Sequence, residues 1–457
     1  MPKLALFGGT PIREKPFYSS VVIDESEWSM VKQVLESKEM SRFMGSPSED
    51  IERLLIMPSV QAEELDGQYF NFLGGQMVRR FESDFASHFG VDYAISVNSA
   101  TSGIATALGA AGLGPGDEVI TTCMSFNATA LSILLFNSIP VFVDVSVDNF
   151  CLDPEEIRRA VTPHTKAILV VHLLGFPADM DEIMEVAHEH KLVVIEDCAQ
   201  APGTKFKGRY VGTIGDLGVF SFQETKNIMT GEGGMIITNN PLFAKKCRLI
   251  RNHGESVPDE SWNEEDLVNI AGMNFRMTEI TAALGIAQLQ KLEENNHVRK
   301  TNADYLIENL DGLRGLKVMR FADEEFPHIL PFVYDEEETG VAREIILHAL
   351  RAEGIPVGSG YTRLMPENPI FQKKIAYGRH NCPWSCHLYE DTVSYSAKNY
   401  SVASGLLYKK FIWFYHIHSP NTVDEMKSVV QAFRKVFSNL KALRTYHPGD
   451  IQLSYKW

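Results

Sequence analysis

Two residues in this chain have the types and the setting for covalent carbonyl chemistry. Lys226 sits in Phe220-Ser221-Phe222-Gln223-Glu224-Thr225-Lys226-Asn227, between a short apolar strand and the glycine-rich stretch Thr230-Gly231-Glu232-Gly233-Gly234. Upstream, the buried-strand pattern Leu192-Val193-Val194-Ile195-Glu196 ends in Asp197. A lysine amine can form an imine with an aldehyde, and a carboxylate can keep a ring nitrogen protonated so that the ring accepts electrons. Together these are what pyridoxal phosphate chemistry requires. An unpaired carboxylate is costly to bury, so Asp197 at a strand end calls for a cationic partner such as a pyridinium.

Such a ring also needs an anion site and a flat apolar neighbour. At the junction Ser96-Val97-Asn98-Ser99-Ala100-Thr101-Ser102-Gly103 a strand ends, small hydroxylated residues follow and a helix begins. Free N–H groups at a helix N-terminus favour phosphate, although Ser99 or Thr101 could simply cap the helix. Phe126, in Met124-Ser125-Phe126-Asn127-Ala128-Thr129, offers a ring at the carboxyl end of the next strand, where open α/β sheets bind ligands. Taken alone, Phe126 reads more readily as a core residue. Gln200, three residues beyond Asp197, either reaches the ring or hydrogen-bonds its own loop.

The elements that must position these residues alternate. Strand patterns at 93–97, 118–121, 141–145, 167–171 and 192–195 are separated by helical patterns at 101–112, 127–137 and 181–190. Apolar strands spaced by helices of this length imply an α/β fold with a mostly parallel sheet covered on both faces. Asp153-Pro154-Glu155-Glu156 reads as a helix start, with an N-cap aspartate and proline in the first turn. From about residue 295 the pattern becomes mixed short strands and helices, so we expect a large unit over 1–294 and a smaller α+β unit over 295–457. Residues 44–76 mix Pro, Ser, acidic and aromatic residues without a period and read as an insertion or lid.

Composition narrows the function classes. The chain has 457 residues, 44% hydrophobic and 22% charged, as in ordinary globular proteins. A formal net charge of −16 argues against a nucleic-acid or anionic-membrane binder. No apolar run is long enough for a secretory signal or a membrane span. Six thinly spread cysteines suit a reducing cytoplasm. The cluster His380-Asn381-Cys382-Pro383-Trp384-Ser385-Cys386-His387 lacks the spacing of a zinc finger, and we expect no metal there.

Six motifs, in order, resemble those of the DegT/DnrJ/EryC1/StrS aminotransferases. They are Asn98-Ser99-Ala100-Thr101-Ser102, Glu196-Asp197-Cys198-Ala199-Gln200-Ala201, Phe220-Ser221-Phe222-Gln223, Thr225-Lys226-Asn227, Thr230-Gly231-Glu232-Gly233-Gly234 and Asn274-Phe275-Arg276-Met277-Thr278-Glu279. The resemblance runs from about Phe7 to residue 295 and continues more weakly to the C-terminus. It implies the aspartate-aminotransferase fold (fold type I), with a mostly parallel seven-stranded sheet, and a pyridoxal phosphate cofactor that cycles through the pyridoxamine form. Lys226 would carry the cofactor and move protons, Asp197 would pair with the ring nitrogen, and Phe126 would stack on the ring. Ala100, Thr101 and Ser221 would hold the phosphate, and Gln200 would lie near the ring hydroxyl. Asn274 would reach the phosphate of a neighbouring subunit, making the protein a homodimer with active sites at the interface.

The activity implied is amino transfer from glutamate or glutamine to a keto-sugar, most readily a nucleotide-linked one, for a surface polysaccharide or secondary metabolite. Cyclitol or keto-octulosonate transfer is the alternative. Family dehydratases replace the lysine with histidine, and a silent relative would lose Lys226 or Asp197; this chain keeps both. No Gly-x-Gly-x-x-Gly follows the first strand, which disfavours a Rossmann oxidoreductase. The chain has Ala100 where the commoner phosphate loop has glycine. Arg251, Asn252, His253, His416 and His418 are candidates for substrate contact, each with a structural alternative.

Overall fold

A computed structural model describes residues 2–43, 51–64, 72–254, 271–389 and 393–446. Seven strands form the main sheet: β1 (Tyr93–Val97), β2 (Glu118–Thr122), β3 (Ile139–Val143), β4 (Thr165–Val171), β5 (Val193–Asp197), β6 (Leu217–Ser221) and β7 (Gly234–Thr238). Their order is β1-β7-β6-β5-β4-β2-β3. Only β7 runs antiparallel to its neighbours. The strands are almost entirely buried, as their continuous apolar runs require. Strand β3 lies two residues ahead of the expected 141–145, because parallel pairing sets Glu118 against Ile139 and leaves Val145 in a bridge to Leu152.

Helices cover both faces. Those used below are α1 (Glu25–Ser37), α2 (Ile51–Leu55), α3 (Ser59–Glu63), α4 (Gln76–Phe89), α5 (Ala100–Ala110), α6 (Ala128–Leu134), α7 (Pro154–Ala160), α8 (Met180–His190), α9 (Pro241–Arg251), α10 (Glu279–Gln290) and α11 (Leu292–Leu310). Helix α7 starts as expected, with Asp153 capping Glu155 N–H and Pro154 in its first turn. Glu279 accepts N–H bonds from Gly75, Met77 and Val78, so a carboxylate at the start of α10 also serves the start of α4.

A second, antiparallel sheet contains β8 (Leu316–Val318), β9 (Leu330–Tyr334), β10 (Val357–Gly358) and β11 (Phe411–Phe414), in the order β8-β9-β11-β10. The N-terminal stretch packs on this sheet, with Phe17 edge-on to Phe414 at 5.3 Å.

Residues 44–76 are read as irregular, and 44–50 and 65–71 lie outside the described residues. The described remainder is ordered. Leu54, Leu55, Met57, Ala62, Phe72 and Leu73 form a small core against Leu249 of α9. Five-residue helices are too short to display a period, so the pattern is invisible in sequence.

Candidate active site

Asp197 ends β5 beneath the β2–α6 loop and is 5% exposed. Its Oδ1 accepts the Ala199 N–H at 3.1 Å and its Oδ2 the Thr129 hydroxyl at 3.2 Å. Ser125 Oγ lies 3.1 Å from Thr129 Oγ1, so two hydroxyls stand behind one carboxylate oxygen. Burial raises the Asp197 carboxyl above its usual range, against the opposing pull of Ala199 N–H, Lys226 and Thr129. Among the described residues no cation makes an ion pair with it. The carboxylate is under-neutralised, and a ring N⁺–H would complete it.

Lys226 follows β6 on a tight turn in which its N–H donates to Gln223 O at 2.9 Å. The turn folds back on itself, with Glu224 N–H to Gly231 O at 3.0 Å and Thr230 N–H to Phe222 O at 2.8 Å. Gly231 adopts φ +84°, which a side-chain-bearing residue rarely accepts. Burial lowers the Lys226 ammonium to about 8; Asp197 opposes the shift and the Arg299 charge adds to it. An amine neutral to this extent near physiological pH is a competent nucleophile and base.

Ser99 is the N-cap of α5, its Oγ accepting Ser102 N–H at 3.1 Å. Ala100 and Thr101 then occupy the first turn, where N–H groups have no partner within the helix. Ser221 pairs with Gly234 across β6 and β7. A Cβ on Gly234 would lie 2.7 Å from Ser99 C and 2.8 Å from Ala100 N, so only glycine lets β7 approach this junction. Ala100, Thr101 and Ser221 therefore converge. Phe126 is 66% exposed, so its ring is no core residue and offers a free flat face. An open amide cradle, an exposed ring and a buried acid short of a cation fit a phosphorylated pyridine.

Gln200 hydrogen-bonds its own surroundings and still has capacity. Its Oε1 accepts Leu174 N–H at 2.9 Å, and its Nε2 donates to Tyr361 OH at 3.2 Å, leaving a second N–H. The Tyr361 phenol is pushed up to about 12 by burial, with Asp197 adding to the shift. Asn274 is exposed; its backbone carbonyl accepts from Asn98 Nδ2 at 3.4 Å, beside the same junction.

Neither Thr129 nor Tyr361 carries a role in the motifs above. Thr129 is three residues beyond Phe126, the spacing that puts a helix-start hydroxyl and a preceding ring at one strand edge. Tyr361 has no local signal, because its partner is 161 residues away. Of the candidate substrate contacts, Arg251 is buried and bonded to Glu82 and Ser96, which is a structural role. Asn252 accepts from Arg276, His416 stacks on Phe17, and His418 is buried near Arg299. His253 is exposed with φ +63°.

Among the described residues, His380, Cys382, Cys386 and His387 do not gather into a metal-ligand group, whereas His172, Glu196 and Cys198 lie close together. That group is committed to hydrogen bonds. His172 Nδ1 accepts Ala178 N–H, so its Nε2 donates to Glu196 at 2.9 Å, and Glu196 accepts from Gly212, Ile214 and Gly215. No helix of the described residues is long and apolar enough to cross a membrane.

Comparison with known proteins agrees with this geometry. The profile of the DegT/DnrJ/EryC1/StrS aminotransferase family matches residues 60–399. A putative L-glutamine:3-amino-2,3-dideoxy-scyllo-inosose aminotransferase of Streptoalloteichus tenebrarius is 30% identical over 449 residues, covering 97% of this chain and 99% of the relative. GDP-perosamine synthase of Caulobacter vibrioides is 41% identical over 253 residues, 53% of this chain and 67% of the relative. The crystal structure of an aminotransferase from Psychrobacter cryohalolentis superposes with a TM-score of 0.74 at 30% identity, covering 93% of this chain and 100% of that one. With its lysine, its strand-end acid and its open helix start on one sheet edge, this chain belongs to the DegT/DnrJ/EryC1/StrS family and is a pyridoxal phosphate-dependent aminotransferase.

Proposed function

We propose that this chain moves an amino group from glutamate or glutamine to the ketone of a sugar, most readily a nucleotide-linked one, in amino-sugar biosynthesis. The observation that carries the reading is the placement of Lys226, a half-buried lysine on the tight turn after β6 in electrostatic reach of the strand-end acid Asp197, where desolvation lowers its amine to about 8. When bound, pyridoxal phosphate supplies the electron sink that lets a proton leave the carbon bearing nitrogen.

The chain's own residues supply the rest. Lys226 holds the cofactor and then, as a free neutral amine, takes and returns the proton. Asp197, backed by Thr129 and Ala199 N–H, holds the ring nitrogen in its protonated form. Phe126 covers one ring face, Ala100, Thr101 and Ser221 bind the phosphate, and Gln200 offers its remaining N–H to the ring hydroxyl. Asn274 reaches the phosphate of a second copy in a homodimer. The exposure of Phe126 and Met273 (66% and 54%) supports an interface at the mouth of the site, and a two-chain mass in sedimentation would accord with it. The large unit spans 1–294 and the small one 295–457, and the location is cytoplasmic.

A cyclitol ketone is the second reading. It is favoured because the Streptoalloteichus relative matches along the whole chain, whereas the GDP-perosamine synthase match covers 53% of it. The test is mass spectrometry of amine transfer from glutamate and glutamine to a panel of nucleotide keto-sugars and cyclitol ketones, with Lys226→Ala as control. Transfer by wild type and none by the variant is expected. Undiminished transfer by Lys226→Ala overturns the assignment.

A further inference from the structure

The turn that carries Lys226 is gripped from outside the main sheet. Tyr415, just after β11, donates its phenol to Thr225 O at 2.9 Å. On the other side of the lysine, both ends of the Asn227 side chain are engaged: Nδ2 donates to Asn296 Oδ1 at 2.9 Å, and Oδ1 faces His328 Nδ1 at 3.3 Å. His328 is itself pinned, its N–H donating to Leu174 O at 2.9 Å and its carbonyl accepting from Arg299 Nη1 at 2.7 Å.

Hydrogen-bond polarity propagates along this chain and fixes a proton. Pro202 O can only accept, so the Asn296 group bonded to it at 2.8 Å is Nδ2. Asn296 therefore presents Oδ1 to Asn227, which must answer with Nδ2. That leaves Asn227 Oδ1 toward His328, and an oxygen acceptor needs a donor. The proton of the imidazole is therefore on Nδ1, and Nε2 carries the lone pair. The closeness of Asn296 to Pro202 is built in: Gly203 has φ +90°, and a Cβ there would lie 2.6 Å from Asn296 Nδ2. Gly203 closes the loop that Asp197 opens, so one polar chain runs from the acid's loop through α11 to the lysine's turn.

Protonating His328 is opposed from every side. Burial acts first, then Lys226 and Arg299, then His418, all holding its imidazole well below the usual histidine range. The remaining groups around the turn are Asp197, which acts on Lys226, and the Tyr415 ring, edge-on to His328 at 6.0 Å. His328 is 7% exposed and makes no ion pair among the described residues.

We infer that His328 is a positioning residue for Lys226: an imidazole with its proton on Nδ1 that holds Asn227 and with it the lysine turn. It acts by geometry, without exchanging a proton. The inference rests on Lys226 being the reactive lysine, as proposed above.

The test uses the full-length protein without cofactor and follows labelling of Lys226 by an amine-reactive acylating reagent as pH is varied, read by mass spectrometry. Asparagine places an amide N–H where Nδ1 stands, whereas glutamine places it where Nε2 stands. His328→Asn is expected to keep the wild-type midpoint near 8. His328→Gln exchanges one neutral group for another, so no charge effect moves the midpoint. It releases the turn into water, and the midpoint rises by about one unit, so that labelling slows about fivefold at pH 8 and about tenfold well below it. Identical labelling in wild type and both variants, or equal shifts in both, overturns the inference. If both variants fail to fold, the ¹⁵N spectrum of histidine in the wild-type protein decides: a proton on Nε2 overturns it. Failure of wild type to take up pyridoxal phosphate at Lys226 would count against the aminotransferase reading alone, because the labelling pattern does not depend on it.

Discussion

The two edges of the seven-stranded sheet are sealed by different means. At the β1 edge the seal is backbone-like. Ser59 at the start of α3 donates its N–H to Asp92 O, while its hydroxyl accepts from Ala94 N–H at 2.9 Å and donates to Ala94 O at 3.1 Å. One serine thus takes the place of a neighbouring strand residue. Tyr93 OH reaches Ile56 O, and Arg248 Nη1 holds Leu54 O and Leu55 O. At the β3 edge the seal is aromatic. Phe142 meets Phe371 and Tyr395 edge-on, Tyr395 OH donates to Pro140 O at 2.9 Å, and the Trp384 indole donates to that same phenol. Pro140 has no N–H, so this edge presents one group fewer to satisfy. An exposed sheet edge templates association, and covering it prevents that.

The difference matters for the site because β1 runs directly into the Ser99–Thr101 junction, whereas β3 ends away from it. Disturbance of the β1 seal should reach the phosphate cradle; disturbance of the β3 seal should cost stability alone. Trp384→Ala removes a 2%-exposed indole from the β3 cover and is expected to cost about 4 kcal/mol in urea unfolding, with cofactor affinity unchanged in the folded protein. A parallel loss of affinity would break the contrast.

Lys226→Met sets the reference for the sheet's middle. Because the folded lysine is lowered to about 8 from its ordinary 10.5, the unfolded chain binds more protons between those values. Burying the charged amine therefore costs stability below pH 8, and the cost disappears as pH rises through 10.5. The methionine variant should be more stable than the cofactor-free wild type by up to about 3 kcal/mol at pH 7, with the gap closing above pH 10. A pH-independent gap would show that the gain comes from packing.

Ser59→Ala leaves the Ala94 N–H and carbonyl buried without their partner, at a cost of about 2 kcal/mol. Here equilibrium titration with pyridoxal phosphate should show weaker binding as well. Unchanged affinity would mean that the β1 seal is as remote from function as the β3 seal.

Much of this was legible in the chain itself. Continuous apolar strands at 93–97, 167–171 and 192–195 can be buried only in a two-sided parallel sheet, and the lysine, acid and helix start occur where that sheet needs them. Ser99 and Asp153 cap helices because local hydroxyl and carboxylate chemistry suffices. What could not be read depends on distant partners. Ser59 looks like any loop serine until β1 lies beside it, and His328 acquires its tautomer from Pro202, Asn296 and Asn227. Phe126 was the instructive ambiguity: a phenylalanine after a strand suits a core equally well, and only its exposure separates the two readings.

The two seals also differ in when they become available. The segment that lies on β1, from Leu54 to Ser59, precedes it in the chain, so a ribosome delivers that part of the cover before the strand it protects, with Arg248 to follow. The cover of β3 comes from around 371–395, more than two hundred residues after the strand has emerged. At typical synthesis rates that interval is on the order of ten to fifty seconds. Until then β3 lacks the aromatic cover it has in the folded protein, and an uncovered edge templates association. Poor yield of C-terminally truncated forms would be a natural result of that delay.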